Sequence, residues 1–297
     1  MTKSLHKKSR EAGLLLLASG AVALLLSTGC NSLQGPYSYP PVNILSMKTY
    51  RAEDFFTKPQ LAIAQSIESG DTDQLRKLAL GVDLSAIGQH DMTLMWFAIL
   101  RHNYVAVQTL VSLGVNPDKQ TAPGVGSALY FAMTGRTDPN DPSGTLLLKA
   151  MLDGGLSPNY KPPDDGPLIQ RAARASGSLA AVQLLVARGA DVNARDDIGG
   201  TALYDAICDM RLDSALYLVE HGADLNAHTV NGITMTWAVY NEMQRQRPGP
   251  MLTKFEQLRD LMISKGAKWP PDPPAAVRDQ MRVQKDIPPV VPAGQKR

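Results

Sequence analysis

The sequence predicts an all-α solenoid of about six helix-turn-helix repeats, and three observations carry that prediction. The hexapeptide GADVNA at 189–194 returns as GADLNA at 222–227, a spacing of 33 residues. Self-similarity at such a period marks stacked supersecondary units. Glycines recur at Gly81, Gly114, Gly155, Gly189, Gly222 and Gly266, at intervals of 33, 41, 34, 33 and 44. Glycine suits a helix end because it accepts the left-handed conformation without a side-chain clash. Three and four residues before the last five of these glycines stand apolar pairs: Leu110 and Val111, Met151 and Leu152, Leu185 and Val186, Leu218 and Val219, Met262 and Ile263. With Val107, Leu148, Val182 and Ala215 seven before, each pair makes one buried helical stripe per repeat. In the first and last repeats the seven-before position holds Gln74 and Arg259, as terminal units with one uncovered face require.

Residues 1–29 read as an export signal. The basic stretch MTKSLHKKSR precedes an apolar run at 14–26, which is shorter than the roughly 18 to 20 residues that span a bilayer. The run ends in LLSTGCNS, which resembles the lipobox of bacterial lipoproteins, with Gly29 before Cys30. That resemblance implies lipid on Cys30 as the mature N-terminus, and Asn31 after it points toward the outer membrane. Ser27 stands where the family prefers leucine, and an ordinary signal-peptidase site would also accept Ser27 and Gly29, releasing a soluble periplasmic protein. Lipid at Cys30 would hold the chain on a membrane without a spanning helix.

Residues 30–59 contain GPYSYPP and little amphipathic pattern, and are expected to be the lipidated N-terminus and a tether. The repeat region is expected over 60–270. The segment 271–297 has proline clusters at both ends and few aromatic or long apolar residues, and is expected to be a solvated tail with at most a transient helix over 275–285. Two long intervals place extra residues near 134–145 and 241–252, between the two helices of their repeats, as loops.

The first helix of each unit names the family. TLMWFA at 93–98, SALYFA at 127–132 and TALYDA at 201–206 resemble the T-P-L-H-x-A motif of ankyrin repeats. Thr93, Ser127 and Thr201 take the hydroxyl that caps the helix, Met95, Leu129 and Leu203 the buried leucine, and Ala98, Ala132 and Ala206 the small residue that lets helices approach. The motif histidine is replaced by Trp96, Tyr130, Gln170, Tyr204 and Trp237, so its hydrogen bonds are absent or remade. The units at 166–189 and 232–266 fit only loosely. The resemblance implies an ankyrin-repeat solenoid with β-turn fingers whose concave face binds a protein.

In that register the candidate partner-binding residues are Gln89, His90, Met92 and Arg101 in the second repeat, Arg195, Asp197, Ile198 and Asp209 in the fifth, and Asn231 beyond. Charge excludes one class of partner. The net charge of +2 reflects Lys3, Lys7, Lys8 and Arg10 in the signal, and the near-neutral remainder argues against nucleic acid. Neither catalytic nor metal-ligating sets are legible: no histidine lies at ligand spacing, no nucleophile elbow or phosphate-binding glycine loop is present, and Asp164 and Asp165 read as turn residues. No cofactor and no small-molecule substrate are expected. The sequence therefore reads as a non-enzymatic, periplasm-facing lipoprotein that binds a protein, with an immunity protein against a secreted phospholipase or wall hydrolase as the sharpest version. A scaffold for a resident periplasmic enzyme is the alternative, and an enzyme with a hidden site the third.

Overall fold

The computed structural model describes residues 50–120, 126–133, 144–163, 165–174 and 177–284. Cys30, the signal, the tether before Tyr50, positions 134–143 of the first insertion, Asp164 and the last segment 285–297 lie outside the described residues.

A short helix α1 (Ala52–Phe55) precedes six helix pairs, and one helix follows them. The pairs are α2 (Gln60–Ser69) with α3 (Thr72–Leu78), α4 (Leu94–Leu100) with α5 (Tyr104–Ser112), and α6 (Ala128–Met133) with α7 (Leu146–Asp153). Then come α8 (Leu168–Ala173) with α9 (Leu179–Ala187), α10 (Ala202–Cys208) with α11 (Leu212–Glu220), and α12 (Met235–Arg245) with α13 (Pro250–Ser264). The closing helix is α14 (Pro274–Gln284). First helices pack on first helices, α8 on α10 and α10 on α12, while second helices form a parallel layer, α5 on α7 and α11 on α13. Among the described residues the extended structure is limited to isolated bridges, including Arg195 to Thr201 and His228 to Thr234, which close the turns of two fingers.

Local chemistry explains why the units repeat. Thr93, Ser127, Thr201 and Thr234 each accept a hydrogen bond from the N–H three residues on, at 3.1–3.3 Å, satisfying a donor the helix leaves open. Pro167 stands at that place in the fourth repeat, and α8 has no side-chain cap. All six recurrent glycines have positive φ, from 74° at Gly81 to 109° at Gly155. A Cβ at any of them would meet nothing within 4 Å, so backbone conformation and not space demands glycine there.

The stripe is buried as expected at Val107, Leu110, Leu148, Met151, Val182, Leu185, Ala215, Leu218 and Met262. The second residue of each apolar pair is covered unevenly: Leu152 and Val219 are buried, Val111 and Val186 half-buried, and Ile263 is 42% exposed at the edge of the last unit. Gln74 is exposed, and Leu75 beside it fills the core.

Three expectations need correction. The tether ends earlier than residue 59, because Ala52, Phe55 and Phe56 are buried and the two phenylalanine rings pack on Phe97 with centroids 6.2 and 5.6 Å away. A four-residue helix is too short to show periodicity, so only its burial reveals it. The tail is not wholly solvated: α14 buries Val277 and Met281, four residues apart, and Arg278 Nη1 donates to the Asn231 carbonyl at 2.9 Å. The second insertion is not a loop. It lengthens α12 to 11 residues and α13 to 15, against 7 and 9 for α10 and α11.

Candidate partner-binding face

The first helices and the fingers before them supply one face of the solenoid. The structure distributes the sequence-predicted residues over this face in two separate groups. Gln89 and His90 are exposed in the second finger, yet the His90 ring stands edge-on to Phe55 at 6.3 Å. Arg101 Nη1 donates to the Tyr50 carbonyl at 3.4 Å and lies 3.9 Å from Glu68 Oε1. His90 and Arg101 therefore hold the N-terminal lid formed by Tyr50 and α1. Met92 is fully buried and is not a surface residue; it directly precedes capping Thr93, and its neighbours Leu94 to Ile99 are all core.

The fifth repeat is more open. Asp197 is 88% exposed and accepts a hydrogen bond from Lys161 Nζ at 2.6 Å, while Arg195 lies 3.6 Å from Asp224. Ile198 is 54% exposed, and its carbonyl accepts from the Val230 N–H at 2.8 Å, joining two fingers. Asp196 shapes this finger, accepting from the N–H groups of Ile198 and Gly200 at 3.0 and 2.7 Å. Asp209 is half-buried at the end of α10. Asn231 is exposed, and its carbonyl is engaged by Arg278 on α14.

In the third to fifth repeats runs a network that the sequence reading missed. Arg171 on α8 donates from Nη1 to Asp118 at 3.1 Å and from Nε to Asp165 at 2.6 Å. Arg174, one turn later, donates from Nη1 to the other oxygen of Asp165 at 2.8 Å and from Nε to Asp205 on α10 at 3.2 Å. The chain Asp118–Arg171–Asp165–Arg174–Asp205 thus joins the third, fourth and fifth repeats. Ser127 and Tyr160 hydroxyls donate to Asp118 at 2.7 and 3.4 Å, and the Arg171 guanidinium lies 5.8 Å from the Tyr130 ring centroid.

Burial and charge set the protonation of this network. Burial pushes the Asp165 carboxyl up, but Arg171 and Arg174 beside it outweigh burial and hold it below the usual carboxylate range. Asp205 goes the other way. Burial pushes it up to about 7 against the pull of Arg174, with Asp196 and Asp209 adding to the rise. Arg174 holds its proton more firmly than usual: burial works against its charge, and Asp205 and Asp165 more than offset that.

A signal for the network was present in the sequence. Counting four residues from each helix cap gives Phe97, Phe131, Arg171, Asp205 and Ala238, the variable position of the motif, so charge at this row appears only in the fourth and fifth repeats. Asp165, passed over as a turn residue, lies between two arginines three apart on one helix face. The motif glutamine also has a role: Gln170 Nε2 donates to the Gly200 carbonyl of the next finger at 2.5 Å, remaking the lost histidine bond. Trp96 Nε1 is buried without a hydrogen-bond partner, so there the bond is lost. No group of three or more potential metal ligands occurs among the described residues.

Residues 142–229 match the family of ankyrin repeats in three copies. Over 57 residues the chain is 46% identical to protein phosphatase 1 regulatory subunit 27 of Homo sapiens and of Mus musculus, which is 19% of this chain and 37% of either relative. The chain thus spans well under half the length of those curated relatives. In structure it is similar to an ankyrin repeat domain from Acinetobacter baumannii, with TM-score 0.50 and 20% identity over 69% of this chain and 98% of that one. A chain of the complex between a predatory endopeptidase of Bdellovibrio bacteriovorus and its immunity protein gives TM-score 0.43 and 20% identity over 66% of this chain and 97% of that one. Cap, glycine, stripe and family match agree: the domain is an ankyrin-repeat solenoid.

Proposed function

We propose that this chain is an exported ankyrin-repeat lipoprotein, anchored through Cys30 to the outer membrane, that binds and neutralises a toxic effector in the periplasm. The observation that carries the binding reading is the charged row across repeats three to five. A solenoid gains little from burying a chain of five titratable groups compared with apolar residues of similar size, so such a row is better suited to orienting a specific partner than to holding repeats together. Ile198, Asp197 and Lys161 beside it supply the mixed apolar and charged rim of a protein interface.

The immunity reading rests on the combination of an export signal, a lipobox-like Gly29–Cys30 and a binding solenoid; the Bdellovibrio complex, at its low TM-score, adds nothing to it. The test is purification of the lipid-bearing protein from crosslinked envelopes, with captured proteins identified by mass spectrometry, for the natural chain and for Arg174→Glu. One near-stoichiometric lytic protein, lost from the variant at unchanged helicity, is the expected result. Capture of a resident envelope enzyme instead replaces the immunity reading with a scaffold, and equal capture by both chains removes the charged row from the interface. Lipid labelling that persists in Cys30→Ser overturns the anchor.

A further inference from the structure

Asparagines at one register position tie successive repeats together. Asn159 Nδ2 donates to the Gly189 carbonyl at 3.2 Å, and its Oδ1 accepts from the Asp191 N–H at 2.7 Å. Asn193 does the same one repeat on, with the Gly222 carbonyl at 3.1 Å and the Asp224 N–H at 2.7 Å. Each side-chain amide therefore grips the backbone of a Gly-Ala-Asp turn through one carbonyl and an N–H two residues later.

Asn226 occupies the same position 33 residues further along. Its backbone is set by the same bond, its N–H donating to Asp224 Oδ1 at 2.9 Å as the Asn193 N–H does to Asp191 Oδ1. Yet its side-chain amide meets no hydrogen-bond partner among the described residues. The turn that should close on it, Gly266-Ala267-Lys268, follows the lengthened helix α13, and Lys268 pairs with Asp272 at 2.5 Å. A cleft of about 300 Å³ separates the two, lined by Glu220, Gly222, Asp224, Asn226, Lys265 and Gly266 among others.

We propose that this cleft binds a short turn of a partner protein, with Asn226 gripping one backbone carbonyl and the N–H two residues beyond it. The internal turns define the segment. Both begin with glycine at positive φ, 85° at Gly189 and 89° at Gly222. Both continue with a buried alanine and then an aspartate, Asp191 or Asp224. A small-small-acidic turn is therefore the fitting ligand, with Lys265 in the cleft wall to meet its carboxylate. This cleft lies between the fifth and sixth repeats and does not depend on the charged row of the third to fifth.

The experiment titrates acetyl-Gly-Ala-Asp-Val-Asn-Ala-amide, a copy of residues 189–194, into the full-length ¹⁵N-labelled protein and follows the side-chain amide signal of Asn226. That signal should move on binding. Asn226→Ala should weaken the peptide roughly tenfold, since two hydrogen bonds of modest net strength are lost, and a peptide N-methylated at its aspartate should bind as poorly. Asn226→Asp, which keeps the acceptor and loses the donor, serves if the alanine variant unfolds, and it too should weaken binding. Equal binding by the variants or by the N-methylated peptide overturns the proposal. An Asn226 amide already bonded to the Gly266 carbonyl in the free protein, and unmoved by peptide, does the same.

Discussion

Asp205→Asn should remove a pH-dependent penalty from the folded state. The carboxyl of Asp205 is 17% exposed, bonded to Arg174 Nε at 3.2 Å, and raised from 3.8 to about 7. At about 1.4 kcal/mol for each tenfold change in proton affinity, the whole gap corresponds to about 4 kcal/mol. The folded protein holds this proton more tightly than the unfolded chain does. The stabilising contribution is therefore complete at acid pH, below the ordinary carboxylate value, and is lost as pH rises through about 7. Roughly 2 to 3 kcal/mol of that loss falls between about pH 5 and pH 8. Asp165 does not confuse the measurement. Its pKa is lowered, so its contribution is lost only as pH falls below the ordinary carboxylate range. Asparagine keeps an oxygen for Arg174 and cannot ionise, so urea unfolding at the two pH values should show the variant gaining on the natural protein by that amount as pH rises. A difference between the two proteins that is the same at both pH values would refute the argument from burial.

Three further outcomes follow from packing and backbone geometry. Leu185→Ala, at a fully buried stripe position, should cost about 2 to 5 kcal/mol in the same urea assay, and an unchanged midpoint would count against the repeat register. Phe55→Ala should cost about 3 to 5 kcal/mol because its ring is buried against Phe97; a loss under about 1 kcal/mol would show that α1 is not a lid. Gly189→Ala, at φ 85° with open space around the new methyl, should cost about 1 to 2 kcal/mol through backbone strain alone, and calorimetry that finds stabilisation would show that the left-handed turn is not required.

The repeat register was legible because glycine and apolar pairs obey local rules. Gly155 and Gly222 need their residue type for a backbone angle, whatever surrounds them. Leu110 and Leu218 carry the 3.6-residue period of a buried face. Less was legible where tertiary context decides. Met92 looks like a finger residue by position, and only the fold shows it fully buried. The lengthening of α12 and α13 was hidden because PGP at 248–250 reads as a loop, whereas Pro250 opens α13 at its first position, where its missing N–H costs nothing. The charged row was least accessible: Asp118 and Asp205 come from different repeats, and no local rule joins them through Arg171 and Arg174.

The two helices outside the repeat rhythm pack on the array near its two ends. An open stack of like units can lengthen by adding another at either terminus, and can also polymerise with its own copies. Here α1 already packs on Phe97 at one end, and α14 already grips Asn231 at the other. A seventh repeat joined before α1 or after α14 would be separated from the array by that helix. Duplication or engineered extension keeps the rhythm when it is internal, with a whole unit inserted between two glycines such as Gly189 and Gly222, so that growth proceeds from the middle while α1 and α14 keep their contacts.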